Sequence, residues 1–151
     1  MKLKTILLTF LLSCGSIENV GLPPRIDNRI QPKPADNKGI FYDTYLKINC
    51  MSTEGRYFIE PPKCIPGIGK VMYSSNDCTL LDSITPSLFL ENNPKYATSS
   101  DIGQFYLIDP IPKLKGVGLY EIVDFQCVQV LNSRTAFDIK EIVSYQIFGD
   151  I

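Results

Sequence analysis

From residue 40 onward the chain alternates apolar and polar side chains in short runs, and no stretch holds a helical rhythm over helical length. Alternation at period two places every second residue on one face of a strand. Residues 40–51 read IFYDTYLKINCM, with Tyr42, Thr44, Leu46, Ile48 and Cys50 on one face. After the polar link MSTE comes GRYFIE at residues 55–60, and the two runs predict a hairpin. Pro61 and Pro62 stop it, because proline cannot donate to a central ladder.

The same reading continues along the chain. Residues 65–70 (IPGIGK) read as loop or turn, residues 71–73 as a short strand and residues 74–77 (SSND) as a turn. Leu80, Leu81, Ile84, Leu88, Phe89 and Leu90 form an apolar stretch interrupted by Pro86. Residues 91–101 (ENNPKYATSSD) read as a long polar loop, and residues 104–108 (QFYLI) as a strand. Residues 118–131 and 135–148 read as two long antiparallel strands joined by Asn132-Ser133-Arg134. Phe137, Ile139, Glu141, Val143, Tyr145 and Ile147 share one face of the second, where Glu141 is the odd member. The expectation is an all-β domain: a small antiparallel β-barrel or β-sandwich of about six to eight strands.

Cysteines narrow the compartment. There are five: Cys14, Cys50, Cys64, Cys78 and Cys127. The last four make an even set in a small domain, as disulfides in an oxidising compartment require. Cys64 and Cys78 flank a turn-rich segment, and Cys50 and Cys127 sit on apolar strand faces. The preferred pairing is Cys64–Cys78 with Cys50–Cys127; Cys50–Cys64 with Cys78–Cys127 stays open. Zinc fails on spacing, since no C-x-x-C occurs and no histidine exists.

The N-terminus explains Cys14. Residues 1–13 read MKLKTILLTFLLS: two lysines, then an apolar run broken only by Thr9. This is the layout of a secretory signal. The run is too short to span a bilayer, which needs roughly 20 apolar residues. Leu11-Leu12-Ser13-Cys14 resembles the lipobox of bacterial lipoproteins. Leu11, Ser13 and Cys14 match; Leu12 stands where a small residue is usual, a looser form similar to spirochaete lipoboxes. The resemblance covers the signal segment and implies lipidation of Cys14. It implies an anchor in the bacterial cell envelope. Gly15-Ser16 lacks the Asp of inner-membrane retention, which points to the outer membrane. Residues 1–13 are then a signal peptide, residues 14–39 the lipidated cysteine with a proline-rich spacer, and residues 40–151 a single β domain. Part of the spacer packing on the domain as an edge segment is the alternative reading.

Charge and residue types limit the chemistry. The chain carries a net charge of −1, and loss of Lys2 and Lys4 leaves −3. No basic stripe invites nucleic acid. The absence of histidine removes the commonest general base and metal ligand. No G-x-S-x-G surrounds Ser52, Ser74, Ser75, Ser99 or Ser100. Asp101 with Asp109, or Asp124 with Glu141, are carboxylate pairs by position alone. Pro66-Gly67-Ile68-Gly69-Lys70 lacks the spacing of a phosphate loop. No catalytic residue, cofactor or metal is expected, and the chain reads as a non-enzyme. Tyr42, Tyr45, Tyr57, Phe58, Tyr73, Tyr96, Tyr106 and Tyr120 are candidates for a contact patch or for the core, with Tyr96 the one expected to be exposed. The expected role is a membrane-tethered module that binds a protein or other macromolecule. The alternative is a carrier of a small apolar ligand inside the barrel.

Overall fold

The computed structural model describes residues 28–33, 39–54, 60–101 and 103–151. The expected signal segment, Cys14, Tyr57 and Phe58 lie outside the described residues. Among the described residues twelve strands form two sheets. The smaller joins β1 (Ile30–Pro32), β2 (Ile40–Asp43), β3 (Ile48–Ser52) and β4 (Cys64–Ile65) in that order. The larger holds β5 (Ile68–Tyr73), β6 (Leu81–Leu88), β7 (Tyr96–Ser99), β8 (Phe105–Ile108), β10 (Tyr120–Val123), β11 (Gln126–Gln129) and β12 (Arg134–Val143). A further strand, β9 (Lys113–Lys115), pairs along the start of β12. A 3₁₀ turn over Tyr145–Ile147 follows, capped by the Ser144 hydroxyl.

Five strands close a barrel in the order β5-β6-β12-β8-β7, and a parallel pairing of Ile68 and Gly69 with Thr98 and Ser99 completes the ring. Closure depends on local irregularity, because bulges bend strands and re-aim side chains. The β5–β6 register shifts at Ile68/Gly69, where Pro86 stands opposite Gly69. A Cβ on Gly69 would lie 2.4 Å from the Thr85 carbonyl oxygen, so the two strands cross where only glycine fits. Another shift, between Ile139 and Glu141, lets β12 continue against β8.

The barrel is filled by side chains. Val71, Tyr73, Ile84, Ala97, Tyr106, Ile108 and Phe137 form one buried cluster, with Phe89 packed 5.4 Å from Phe137 between ring centres. A second cluster seats the small sheet: Ile48, Met51 and Ile65 meet Ile68, Tyr96, Phe105 and Phe148. A third, of Met72, Val130 and Ala136, lies beneath Leu119.

The disulfides are Cys50–Cys64 and Cys78–Cys127, not the preferred pairing. The reason is β5. Its six residues extend roughly 3.3 Å each, which holds Cys64 and Cys78 at opposite ends of a strand. Disulfide-bonded Cα atoms lie within about 7 Å. Cys50 and Cys64 instead sit on the neighbouring strands β3 and β4, with Cα atoms 5.2 Å apart.

Several element boundaries also differ from expectation. Residues 40–51 are two strands, not one, because the Asp43 carboxylate accepts the Tyr45 and Leu46 amides at 3.0 Å and turns the chain. Residues 55–59 lie outside the described residues. Residues 65–70, expected as loop, supply Ile65 to β4 and Ile68, Gly69 and Lys70 to β5. Residues 118–131 are not one strand but the hairpin β10–β11. That hairpin joins β5, while β12 pairs with β6, β8 and β9; the expected pairing of the last two long strands is absent. The expected polar loop contains β7, and Tyr96 is buried in it, not exposed. Glu141 is exposed because the bulge before it inverts the alternation.

The small sheet also begins ten residues earlier than expected, at Ile30 in the spacer. Arg29 explains this docking. Its guanidinium donates to Asp43 through Nε at 2.9 Å and Nη2 at 2.7 Å. Nη2 also donates to the Ile147 carbonyl at 2.6 Å, and Tyr45 covers the group 4.9 Å from its ring centre. The side chains of Arg29 and Asp43 are 9% and 0% exposed. A buried ion pair needs such full coordination to offset its desolvation.

Candidate functional site

The feature that local folding does not explain is the tip of the β10–β11 hairpin. Val123 pairs with Gln126, leaving Asp124 and Phe125 as a two-residue turn. Both hold positive φ, 49° and 64°. Two-residue hairpin turns of the type that suits strand twist require this, and usually use Asn and Gly. A phenylalanine there is disfavoured, since a Cβ in the left-handed region costs roughly 1–2 kcal/mol. Phe125 gains nothing back by burial: its relative exposure is 104%.

The hairpin beneath that tip is braced. Ile122 and Tyr120 pack against the barrel cluster. Glu121 faces Arg134 at 3.1 Å and Lys70 at 3.6 Å. Cys127 is bonded to Cys78 in the loop that follows β5. That loop is itself tied down: the Ser75 hydroxyl accepts the Thr79 and Leu80 amides at 3.0 Å, and the Thr79 hydroxyl donates to Asp77 at 2.7 Å. These hydroxyl hydrogen bonds, from Thr79 and then Ser75, hold the Asp77 carboxyl below its ordinary range. The exposed ring therefore stands on a frame with little freedom.

Other large apolar side chains are also exposed. Leu131 is 80% exposed just beyond β11, and Leu114 on β9 and Val117 beyond it are nearly as open. On β9 the lysines alternate with Leu114: Lys113 and Lys115 pair with Asp138, and Lys115 also reaches Asp82 at 2.9 Å. Contact with Lys113 and then Lys115 holds the Asp138 carboxyl low.

The structure brings together none of the catalytic arrangements weighed from sequence. Asp101 accepts the Ser100 hydroxyl in an exposed turn, and Asp109 accepts the Ile111 amide. Asp124 stands at the hairpin tip, while Glu141 lies on β12 opposite Leu107. Ser52, Ser74 and Ser75 serve turn hydrogen bonds, and Ser99 accepts the Gln104 amide. Gly67 and Gly69 are there for close packing: a Cβ on Gly67 would lie 2.6 Å from the Leu88 carbonyl oxygen. Among the described residues no three His, Cys, Asp or Glu side chains gather where they could hold a metal.

Tyrosines divide between core and surface. Tyr73, Tyr96 and Tyr106 are buried, Tyr42 and Tyr120 are half-buried, and Tyr45 is exposed over Arg29. Burial, chiefly, with the nearby Tyr73, pushes the Tyr106 phenol up to about 12, against a smaller opposing effect of the Ser99 hydroxyl. A shallow open depression lies between the small sheet and the loop before β7, lined by Ile48, Asn49, Leu90, Glu91 and Tyr96 among others.

Comparison with family models, with curated proteins and with solved structures finds no match for this chain. The candidate site therefore rests on its own geometry. Sequence reading missed it because residues 118–131 look like a single strand. The available signal was length: 14 alternating residues exceed the usual 3–10 of a strand.

Proposed function

We propose that this chain is a lipoprotein of the bacterial outer membrane, anchored through Cys14, whose β domain binds another macromolecule through the β10–β11 hairpin. The domain works without catalysis, cofactor or metal. One observation carries the reading: Phe125 is fully exposed and backbone-strained at the tip of a disulfide-braced hairpin. Such strain persists where surroundings enforce it, and it concentrates at sites of function. Aromatic residues on rigid frames lose little freedom on binding and act as interface anchors. The filled barrel supports this reading over ligand carriage, which needs an interior cavity of roughly 300 Å³ or more. A tether to the membrane raises the local concentration of such a module.

Two measurements test it. The intact mass of the chain extracted from membranes is expected to equal residues 14–151 plus acyl groups; the unprocessed mass refutes the anchor. Benzoylphenylalanine in place of Phe125, photolysed in living cells, is expected to give one discrete adduct. The same probe at the exposed Ile142 on β12 is the control. No adduct at position 125, or the same pattern at both positions, refutes the hairpin as the contact element.

A further inference from the structure

Nothing among the described residues pairs with the outer edge of β11. Among the described residues β11 pairs with β10 alone, at the end of the larger sheet. The Val130 amide donates inward to the Leu119 carbonyl at 2.9 Å. By alternation Val128 and Gln126 also face β10, so the backbone groups of Cys127 and Gln129 face outward. Natural edges are blunted by lysine, proline or a covering segment. Three other edges of this fold follow that rule. β9 carries Lys113 and Lys115, β1 contains Pro32, and β4 is flanked by the Lys63–Asp150 pair and the Cys64-to-Gly149 hydrogen bond. Residues 125–133 hold no charge and no proline.

That edge is also self-complementary. Phe125 and Leu131, both exposed, lie three residues either side of Val128. We propose that β11 is a self-association edge, along which two copies of this chain pair antiparallel about a two-fold axis at Val128. In this register Cys127 of one copy meets Gln129 of the other, twice. Both residues have outward backbone groups, so four hydrogen bonds form. Val128 falls opposite Val128 as a non-bonded pair, as its inward-facing backbone requires. Phe125 of each copy falls opposite Leu131 of the other, and both are covered. A symmetric closed contact of this kind ends at two copies and does not propagate. This inference rests on the hairpin being the contact element, and it names the occupant.

The test is sedimentation of the full chain in a non-ionic detergent, comparing the parent with Phe125→Glu and with Phe125→Glu/Leu131→Lys. Both positions are exposed, so the fold is retained. The parent is expected to be a dimer. Phe125→Glu is expected to weaken association about a hundredfold, tenfold for each symmetric contact. The double variant is expected to recover it through two ion pairs and to lose it again in high salt. A monomeric parent, a Phe125→Glu variant that associates like the parent, or a double variant without recovery overturns the proposal. A monomeric parent that still gives a heterologous adduct at position 125 overturns the dimer alone and leaves the hairpin as a contact for another molecule.

Discussion

Replacing Asp43 by Ala should be among the most damaging single changes in the domain. Asp43 is fully buried and accepts four hydrogen bonds: two from Arg29, at 2.9 and 2.7 Å, and the Tyr45 and Leu46 amides at 3.0 Å. Its loss leaves the guanidinium of Arg29 with the Ile147 carbonyl and the Tyr45 ring as its remaining contacts. Removing one member of a buried ion pair costs about 3–5 kcal/mol, because the other charge stays buried. Total stability of a domain is only about 5–15 kcal/mol. At roughly 4 °C per kcal/mol, the midpoint of thermal unfolding should fall by 12–20 °C. Arg29→Ala should cost a comparable amount. The double variant should cost about 2 kcal/mol less than the two single losses added together, since the residues share one network. Urea unfolding of all four proteins measures this cycle. A loss below about 1 kcal/mol for either single variant, the size typical of exposed pairs, would refute the account, as would strict additivity.

Three further outcomes follow from other parts of the fold. At dilutions where the chain is monomeric, Phe125→Gly should stabilise the domain by about 1 kcal/mol in chemical denaturation, because glycine accepts the left-handed turn and the ring makes no buried contact within its own chain; a loss of stability there would show that the ring supports the fold. Removing Cys78–Cys127, which closes 49 residues, should cost about 4 kcal/mol, and removing Cys50–Cys64, which closes 14, about 3 kcal/mol; paired Cys→Ala variants compared by urea unfolding check the order. The Tyr106 phenol, raised from 10.0 to about 12, favours the neutral form in the folded state. Its stabilisation is complete below pH 10 and is lost as pH rises towards 12. Alkaline unfolding should therefore move to higher pH in Tyr106→Phe, and an unchanged midpoint would contradict the assignment.

The fold class was legible because its cause is local. Period-two alternation and the lack of amphipathic helix identify β structure without knowledge of pairing, and an even set of cysteines fits a bonded domain. What escaped has non-local or unusual causes. The turns at Thr44–Lys47 and Asp124–Phe125 contain neither Gly nor Pro, so each hairpin read as one long strand. The first turn is specified by the Asp43 side chain, whose charge is balanced by Arg29 14 residues earlier. Tyr96–Ser99 looked polar, yet Thr98 and Ser99 are buried because β7 closes the barrel against β5. The disulfide pairing followed from the length of β5, which was in doubt while residues 65–70 read as loop. Glu141 looked inward because a one-residue bulge leaves no mark in composition.

The Arg29 clip also has a mechanical meaning. Tension on the segment before residue 28 reaches the fold at Arg29 before it reaches β1. A three-residue edge strand pulled alone would peel away one hydrogen bond at a time. Arg29 instead passes the load to Asp43 on β2 and to the carbonyl of Ile147 near the C-terminus. Force entering at one end of the chain is thus divided between the small sheet and the C-terminal segment, and detachment must break a buried, multiply bonded ion pair in a single event.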